Sequence, residues 1–255
     1  MINEPDAALP DDLFAFKINY NSSDVHGGST PLLYNGNIAE TNWRSKTDNI
    51  KKYYAYNYDD LNRLIWANYM PGDAARVNGY TEGNISYDKG GNIKTLTRYS
   101  SVNNETAIGI IDALTYGYMP YSNRLKSVYD TSLNANGFND GGTVSASQDY
   151  YYDGAGNMTR DLNKKTGTAT TEAVSYNNLN LPVKVNFKAT KYIDYIYDAT
   201  GAKLKKKVTD GSTATTTEYA GGFVCQGTNS LPFFFNSEGY SRPTSVITNG
   251  STSSY

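Results

Sequence analysis

An all-β fold is predicted for this 255-residue chain by three observations. Tyrosine is unusually frequent, 24 residues, alongside 23 Gly and many Thr and Asn. Aromatic and β-branched residues favour strands, and Gly and Asn favour tight turns. No stretch sustains a helical apolar period beyond about two turns. Finally, one short unit recurs: an aromatic or apolar residue, any residue, Tyr, Asp or Asn, two residues, Gly or Asn, then an alternating run. Recurrence at a period of tens of residues marks a repeat architecture.

The copies follow in order as "YNYDDLNRLIWA" (56–67), "ISYDKGGNIKTL" (85–96), "YYYDGAGNMTRD" (150–161), "VSYNNLNLPVKV" (174–185) and "YIYDATGAKLKKKV" (195–208), with weaker copies "YGYMPYSNRLKSV" (116–128) and "TEYAGGFV" (217–224). Their second tyrosines are Tyr58, Tyr87, Tyr118, Tyr152, Tyr176, Tyr197 and Tyr219, spaced 21 to 34 residues apart. Each unit is expected to be a strand, turn, strand hairpin. Asp59, Asp88, Asp153, Asn177 and Asp198 supply the oxygen that accepts turn amides. Gly156 and Gly201 supply the positive φ of the reversal. In Tyr195-Ile196-Tyr197 both rings lie on one strand face. After Gly201, Leu204 and Val208 share a face with Lys206, which is expected at a sheet edge.

These units define a repeat array over 53–243, preceded by an N-terminal β segment over 1–52 and followed by a polar tail over 244–255 expected to fray. The longer spacings at 70–84, 100–110 and 130–147 hold Gly, Asn and Ser-rich insertions. Tyr58, Tyr87, Tyr152, Tyr176 and Tyr197 are expected to stack as a ladder on one face of a continuous antiparallel sheet. Their hydroxyls would be hydrated or bonded to backbone.

Composition excludes several functions. A net charge of −2 gives no global pull toward nucleic acid or membrane. The segment 151–210 is locally basic, and is expected to serve solubility and edge protection. A single cysteine, Cys225, rules out an intrachain disulfide framework. "MINEPDAALPDDLFAF" lacks an apolar h-region, so no signal peptide is expected in this chain. His26 is the sole histidine, which removes two-histidine zinc sites and metalloprotease motifs. Asp153-Gly154-Ala155-Gly156 has Ala where a calcium loop needs an oxygen ligand. It also falls short of a dinucleotide fingerprint. No catalytic, metal or cofactor-binding residue is therefore assigned. A Cys225–His26 dyad would be reactive only if the fold joined the two. Trp43 and Trp66 are the candidates for stacking on surface glycans.

"LFAFKINY", "LYNGNIAETNW", "YDDLNRL", "LNLPVKV", "YIYDATGAKLKK" and "FFFNSEGY", taken with the repeats, resemble the YD repeats of the Rhs family. That family is related to toxin-complex C components and teneurins. The match resembles the stretch just upstream of the Rhs-associated core in Bacteroidetes-like members. The resemblance implies a curved β-sheet strip, a section of a hollow shell that encloses a toxic C-terminal domain. It implies a non-enzymatic module of a secreted or surface-displayed polymorphic toxin, partnered by the core and effector of its own parent chain. An Asp-His-Leu-Gly-Asn-type segment and the family's autoproteolytic aspartates are absent here, so autocleavage is carried over to no residue. A cell-surface adhesin or carbohydrate-binding YD-repeat protein is the alternative, and a hydrolase a distant third.

Overall fold

Apolar and polar residues alternate between Gly, Asn and Asp punctuation, and the backbone answers with antiparallel hairpins. The computed structural model describes residues 5–6, 12–24, 32–72, 79–102, 107–140, 148–168, 170–227, 230–237, 239–241, 245–248 and 251–254. Among the described residues there is no helix. The chain divides into two units, Met1–Ser147 and Gln148–Tyr255.

The first unit is an eight-stranded antiparallel meander. Its strands are β1 (Phe14–Asn19), β2 (Glu40–Ser45), β3 (Lys51–Tyr58), β4 (Leu64–Pro71), β5 (Glu82–Tyr87), β6 (Ile93–Val102), β7 (Ala107–Tyr118) and β8 (Leu125–Asp130). Each pairs with its sequence neighbour. The second unit begins with a two-stranded sheet, β9 (Tyr150–Tyr152) with β10 (Met158–Asp161). A second eight-stranded meander follows: β11 (Val174–Tyr176), β12 (Pro182–Lys188), β13 (Lys191–Tyr197), β14 (Lys203–Asp210), β15 (Thr213–Ala220), β16 (Phe223–Gln226), β17 (Ser230–Asn236) and β18 (Gly239–Ser241).

Two expectations are corrected. The sheet is not continuous: its ladder stops after β8 and again between β10 and β11. At both places inserted chain intervenes before the next hairpin, 131–149 in the first and 162–173 in the second. In the tail, β19 (Ser245–Thr248) and β20 (Ser251–Ser254) pair as antiparallel strands. Lys206 is not at an edge. It lies on interior strand β14, opposite Tyr195 on β13 and Thr217 on β15, because β15 to β18 extend the sheet past it. Neighbouring lysines of this stretch are paired across strands, Lys205 with Glu218 at 2.7 Å and Lys191 with Asp210 at 2.6 Å.

Fully buried apolar side chains are mostly small, such as Ala15, Ala39, Ala55 and Ala67. Some larger ones, Tyr69, Leu114 and Tyr150 among them, are buried as well, and others sit half-covered on sheet faces. In the first unit Trp43, Tyr54, Tyr69 and Tyr80 form an aromatic cluster, with centroids 5.2 to 6.1 Å apart. Glu40 is fully buried, and its carboxylate accepts bonds from Asn19, Asn42, Ser23 and the Asp24 amide. Those donors replace the water a buried charge loses. Strands β1 and β8 of the first eight-stranded sheet and β11 and β18 of the second each have one ladder neighbour. Exposed strand edges recruit further strands. The isolated chain is therefore expected to associate, seen as scattering mass rising with concentration; a monomer at all concentrations would show that the edges are capped.

Candidate functional site

The recurring tyrosine and turn are built the same way in hairpin after hairpin. The repeat tyrosine ends its strand opposite the residue six positions on: Tyr58 faces Leu64, Tyr87 faces Ile93, Tyr152 faces Met158, Tyr176 faces Pro182 and Tyr197 faces Lys203. A register shift accompanies each pairing. In between, one carboxylate or amide oxygen ties the loop. Oδ1 of Asp88 accepts the Gly90 and Asn92 amides at 2.8 and 2.9 Å, and its Oδ2 accepts Asn92 Nδ2 at 2.9 Å. Asp153 repeats this with Ala155 and Asn157. Asp198 does so with Thr200 and Ala202, and Asp59 with Leu61 and Arg63. Asn177 does the same with a neutral oxygen, accepting from Leu179 and Leu181 at 3.0 Å each.

Four residues beyond each tyrosine the backbone turns left-handed: Asn62, Gly91, Gly156, Asn180 and Gly201, with φ between 58° and 92°. The Tyr118 copy departs from the rule. Met119 offers no turn oxygen, so Ser122 Oγ accepts the Arg124 amide instead. The loop is one residue longer, Tyr118 facing Leu125. Its left-handed residue is Tyr121, at φ 55° and fully exposed. A bulky residue there is strained. Tyr121→Asn should raise stability by about 0.5–1 kcal/mol, read from a denaturation midpoint.

The repeats are joined by a backbone bond of the tyrosine hydroxyl whose acceptor the sequence does not name. Tyr87 Oη donates to the Leu64 carbonyl at 2.6 Å, Tyr118 Oη to Ile93 at 2.8 Å, Tyr176 Oη to Met158 at 2.7 Å and Tyr197 Oη to Pro182 at 3.1 Å. In every case the acceptor is the residue opposite the preceding repeat's tyrosine. The expected ring ladder is thereby corrected. Within one sheet, successive repeat tyrosines (Tyr58, Tyr87 and Tyr118 in the first, Tyr176 and Tyr197 in the second) occupy alternate strands, roughly 9.5 Å apart, beyond the 4.5–7 Å of a ring pair. The hydroxyl, not the ring face, makes the connection.

Turns are joined too. Asn92 Nδ2 reaches Asn123 Oδ1 at 3.0 Å, Asn157 Nδ2 reaches Asn180 Oδ1 at 2.9 Å, and Arg63 bonds the Asp88 carbonyl while its guanidinium lies 4.5 Å over the Tyr87 ring. A further repeat copy is present that the pattern search misses. Tyr58 Oη donates to the Ile38 carbonyl at 2.9 Å, and Gly36 is left-handed at φ 90°. Asn35 and Asn37 both donate to Asn62 Oδ1. "YNGNI" at 34–38 is the "YDKGGNI" unit with two residues deleted and Asn in place of Asp, which is the signal that would have found it. Tyr219 stands outside the series: it precedes a two-residue hairpin at Gly221, opposite Val224, with Lys203 Nζ 6.0 Å from its ring.

Electrostatically these are settled groups. A hydrogen bond from Asn92, then those of the turn amides, holds the Asp88 carboxyl below the usual range. Asn157 does so for Asp153, Arg63 for Asp59 and Thr200 for Asp198. Burial pushes the phenols of Tyr58, Tyr87, Tyr118, Tyr176 and Tyr197 up.

Trp43 and Trp66 are not brought together. Cross-strand pairing sets Trp43 opposite Lys52 and Trp66 opposite Asn57, on opposite faces of the sheet. Trp66 lies flat over Gly83, where an added Cβ would come within 2.4 Å of its ring. His26 falls outside the described residues. Cys225 is half-covered in β16, paired with Glu218.

No family model and no curated protein matches the chain. Solved structures do resemble it. One is a crystal structure of TcdB2-TccC3-Cdc42 (TM-score 0.47, 12% identity, 92% of this chain and 12% of that one). Another is the Photorhabdus luminescens Tc holotoxin pore with a mutated TccC3 (TM-score 0.39, 13% identity, 91% of this chain and 12% of that one). A third is TcdB2-TccC3 without its hypervariable C-terminal region (TM-score 0.35, 12% identity, 83% of this chain and 13% of that one). The chain thus spans about an eighth of the length of these chains.

Proposed function

We propose that the chain is a non-enzymatic section of the wall of an Rhs-type shell, one that encloses a toxic effector domain of its own parent polypeptide. The observation that carries this reading is the repeat-to-repeat tie: the hydroxyls of Tyr87, Tyr118, Tyr176 and Tyr197 each bond the carbonyl opposite the previous repeat's tyrosine. Such ties stiffen a sheet edge to edge without a second layer packed on it, which is what a thin wall around a cavity requires. The turn carboxylates fit the same role. They are saturated by local donors and held ionised, unlike a general acid or base tuned near neutrality. The parent would act outside the cell or at its surface, with the Rhs core and effector as partners.

The test is protease protection of the full-length parent. A C-terminal domain enclosed by the wall is cut slowly while the shell is intact and rapidly once destabilising substitutions open it. Equal cleavage rates in both would refute enclosure.

A further inference from the structure

We propose that the second unit holds a binding site for a single sugar ring, in the gap where the sheet is interrupted between β10 and β11. The site is independent of the shell reading. A cavity of about 300 Å³ opens there between the Asp153 turn and the Asn177 turn, within the size range of small-molecule sites.

Thr159 lines it. This residue is 3% exposed, and its Oγ1 has no hydrogen-bond partner. Its backbone carbonyl is taken by the Ala173 amide, so the orphan is the hydroxyl alone. A buried hydroxyl without a partner is a standing cost that a ligand hydroxyl would relieve.

The rest of the lining narrows the chemistry. Asn177 and Asn180 spend their Oδ1 atoms on the turn and on Asn157 Nδ2. Those bonds leave both Nδ2 donors for a ligand acceptor. Ser175 adds an exposed hydroxyl, and the Tyr176 ring is fixed by its bond to the Met158 carbonyl. Amide donors, two hydroxyls and a held aromatic ring suit a neutral polyhydroxylated ring, which offers donors, acceptors and a C–H face together. A metal ion is not the ligand this lining is built for: among the described residues no group of three His, Cys, Asp or Glu is placed to hold one. Of the two carboxylates in the lining, Asp153 is occupied by Asn157 and the turn amides, and Glu172 lies 3.8 Å from Arg160.

The experiment is ligand-observed NMR on the whole 255-residue chain with glucose, galactose, mannose and N-acetylglucosamine in turn. One sugar should bind the unaltered chain. Thr159→Val keeps the shape and removes the hydroxyl, so it should weaken binding about tenfold or more while the melting temperature stays level or rises. Thr159→Ser keeps the hydroxyl and should bind within about threefold of the original. The proposal is overturned if none of the four sugars binds, if Thr159→Val binds as well as the original, or if both variants lose binding equally. A higher melting temperature for Thr159→Val without sugar binding would mean that water alone fills the gap, which also overturns it.

Discussion

Raised from pH 8 through pH 12, the folded chain should lose its near-ultraviolet signal and its sheet cooperatively, well before an unlinked sheet of this size would. The cause is the number of half-buried phenols. Burial pushes the phenol of Tyr54 up to about 12, and moves Tyr58, Tyr87, Tyr116, Tyr118, Tyr150, Tyr176 and Tyr197 in the same direction. An unfolded tyrosine releases its proton near pH 10. Above that pH the unfolded chain sheds protons that the folded chain keeps, so stability falls as pH rises. The contribution is fully present below pH 10 and is lost through the folded pKa values. Tyr54 donates to the Tyr80 carbonyl at 2.8 Å; discounting for partial exposure, it accounts for at most about 2 kcal/mol. The others add smaller amounts of the same sign.

Tyr176→Phe separates this from general alkaline damage. Its hydroxyl spans the β10–β11 gap, where the strand ladder is missing. The change should cost about 1–2 kcal/mol at pH 7 by leaving the Met158 carbonyl unpaired. Tyr197→Phe should cost less, because β12, β13 and β14 around it are ladder-paired. Tyrosinate absorbance that rises at the free-tyrosine pH with no change in circular dichroism would show that these hydroxyls hold nothing.

The turn was legible in the sequence and the partner of the tie was not, for physical reasons. Asp88 and its amides lie within four residues of one another, so residue type alone predicts the bonds. Gly156 and Gly201 are likewise local, because positive φ is a property of one residue. Tyr87 and Leu64 are 23 residues apart, and their meeting depends on the register of two hairpins. Bulges such as that between Asn57 and Tyr58 recur with the repeat tyrosine, but the residue pattern does not say which carbonyl of the neighbouring hairpin they bring within reach. The interruptions of the sheet were hidden differently. Chain between repeats was legible as insertion, but whether it leaves or breaks the ladder depends on where it docks. Gly137, for example, presses against the Ile111 carbonyl so closely that an added Cβ would lie 2.0 Å from it. Nothing about "NANGFND" in isolation names that neighbour.

Gly201→Val should destabilise the second unit by about 2–3 kcal/mol, against a much smaller loss for Asp198→Asn. Gly201 stands at φ +88°, beyond the left-handed well that side chains tolerate, and a Cβ added there meets Leu181 Cδ1 at 3.2 Å. A β-branched residue adds its own restriction at χ1. The protein contains its own controls. At the equivalent position of the preceding repeat, Asn180 adopts φ 58°. Gly201→Asn should therefore cost less than Gly201→Val, because Asn is several-fold enriched in that region. At the acceptor position Asn177 already performs the task of Asp198, receiving two amides at 3.0 Å without a charge. Asp198→Asn keeps that oxygen and should leave the turn formed. Denaturation midpoints of the three variants, measured at one pH, should rank Asp198→Asn nearest the original, Gly201→Asn next and Gly201→Val far below. Equal losses for all three would mean that the turn tolerates any backbone at this position, and that the repeat's spacing rather than its turn chemistry holds the hairpin.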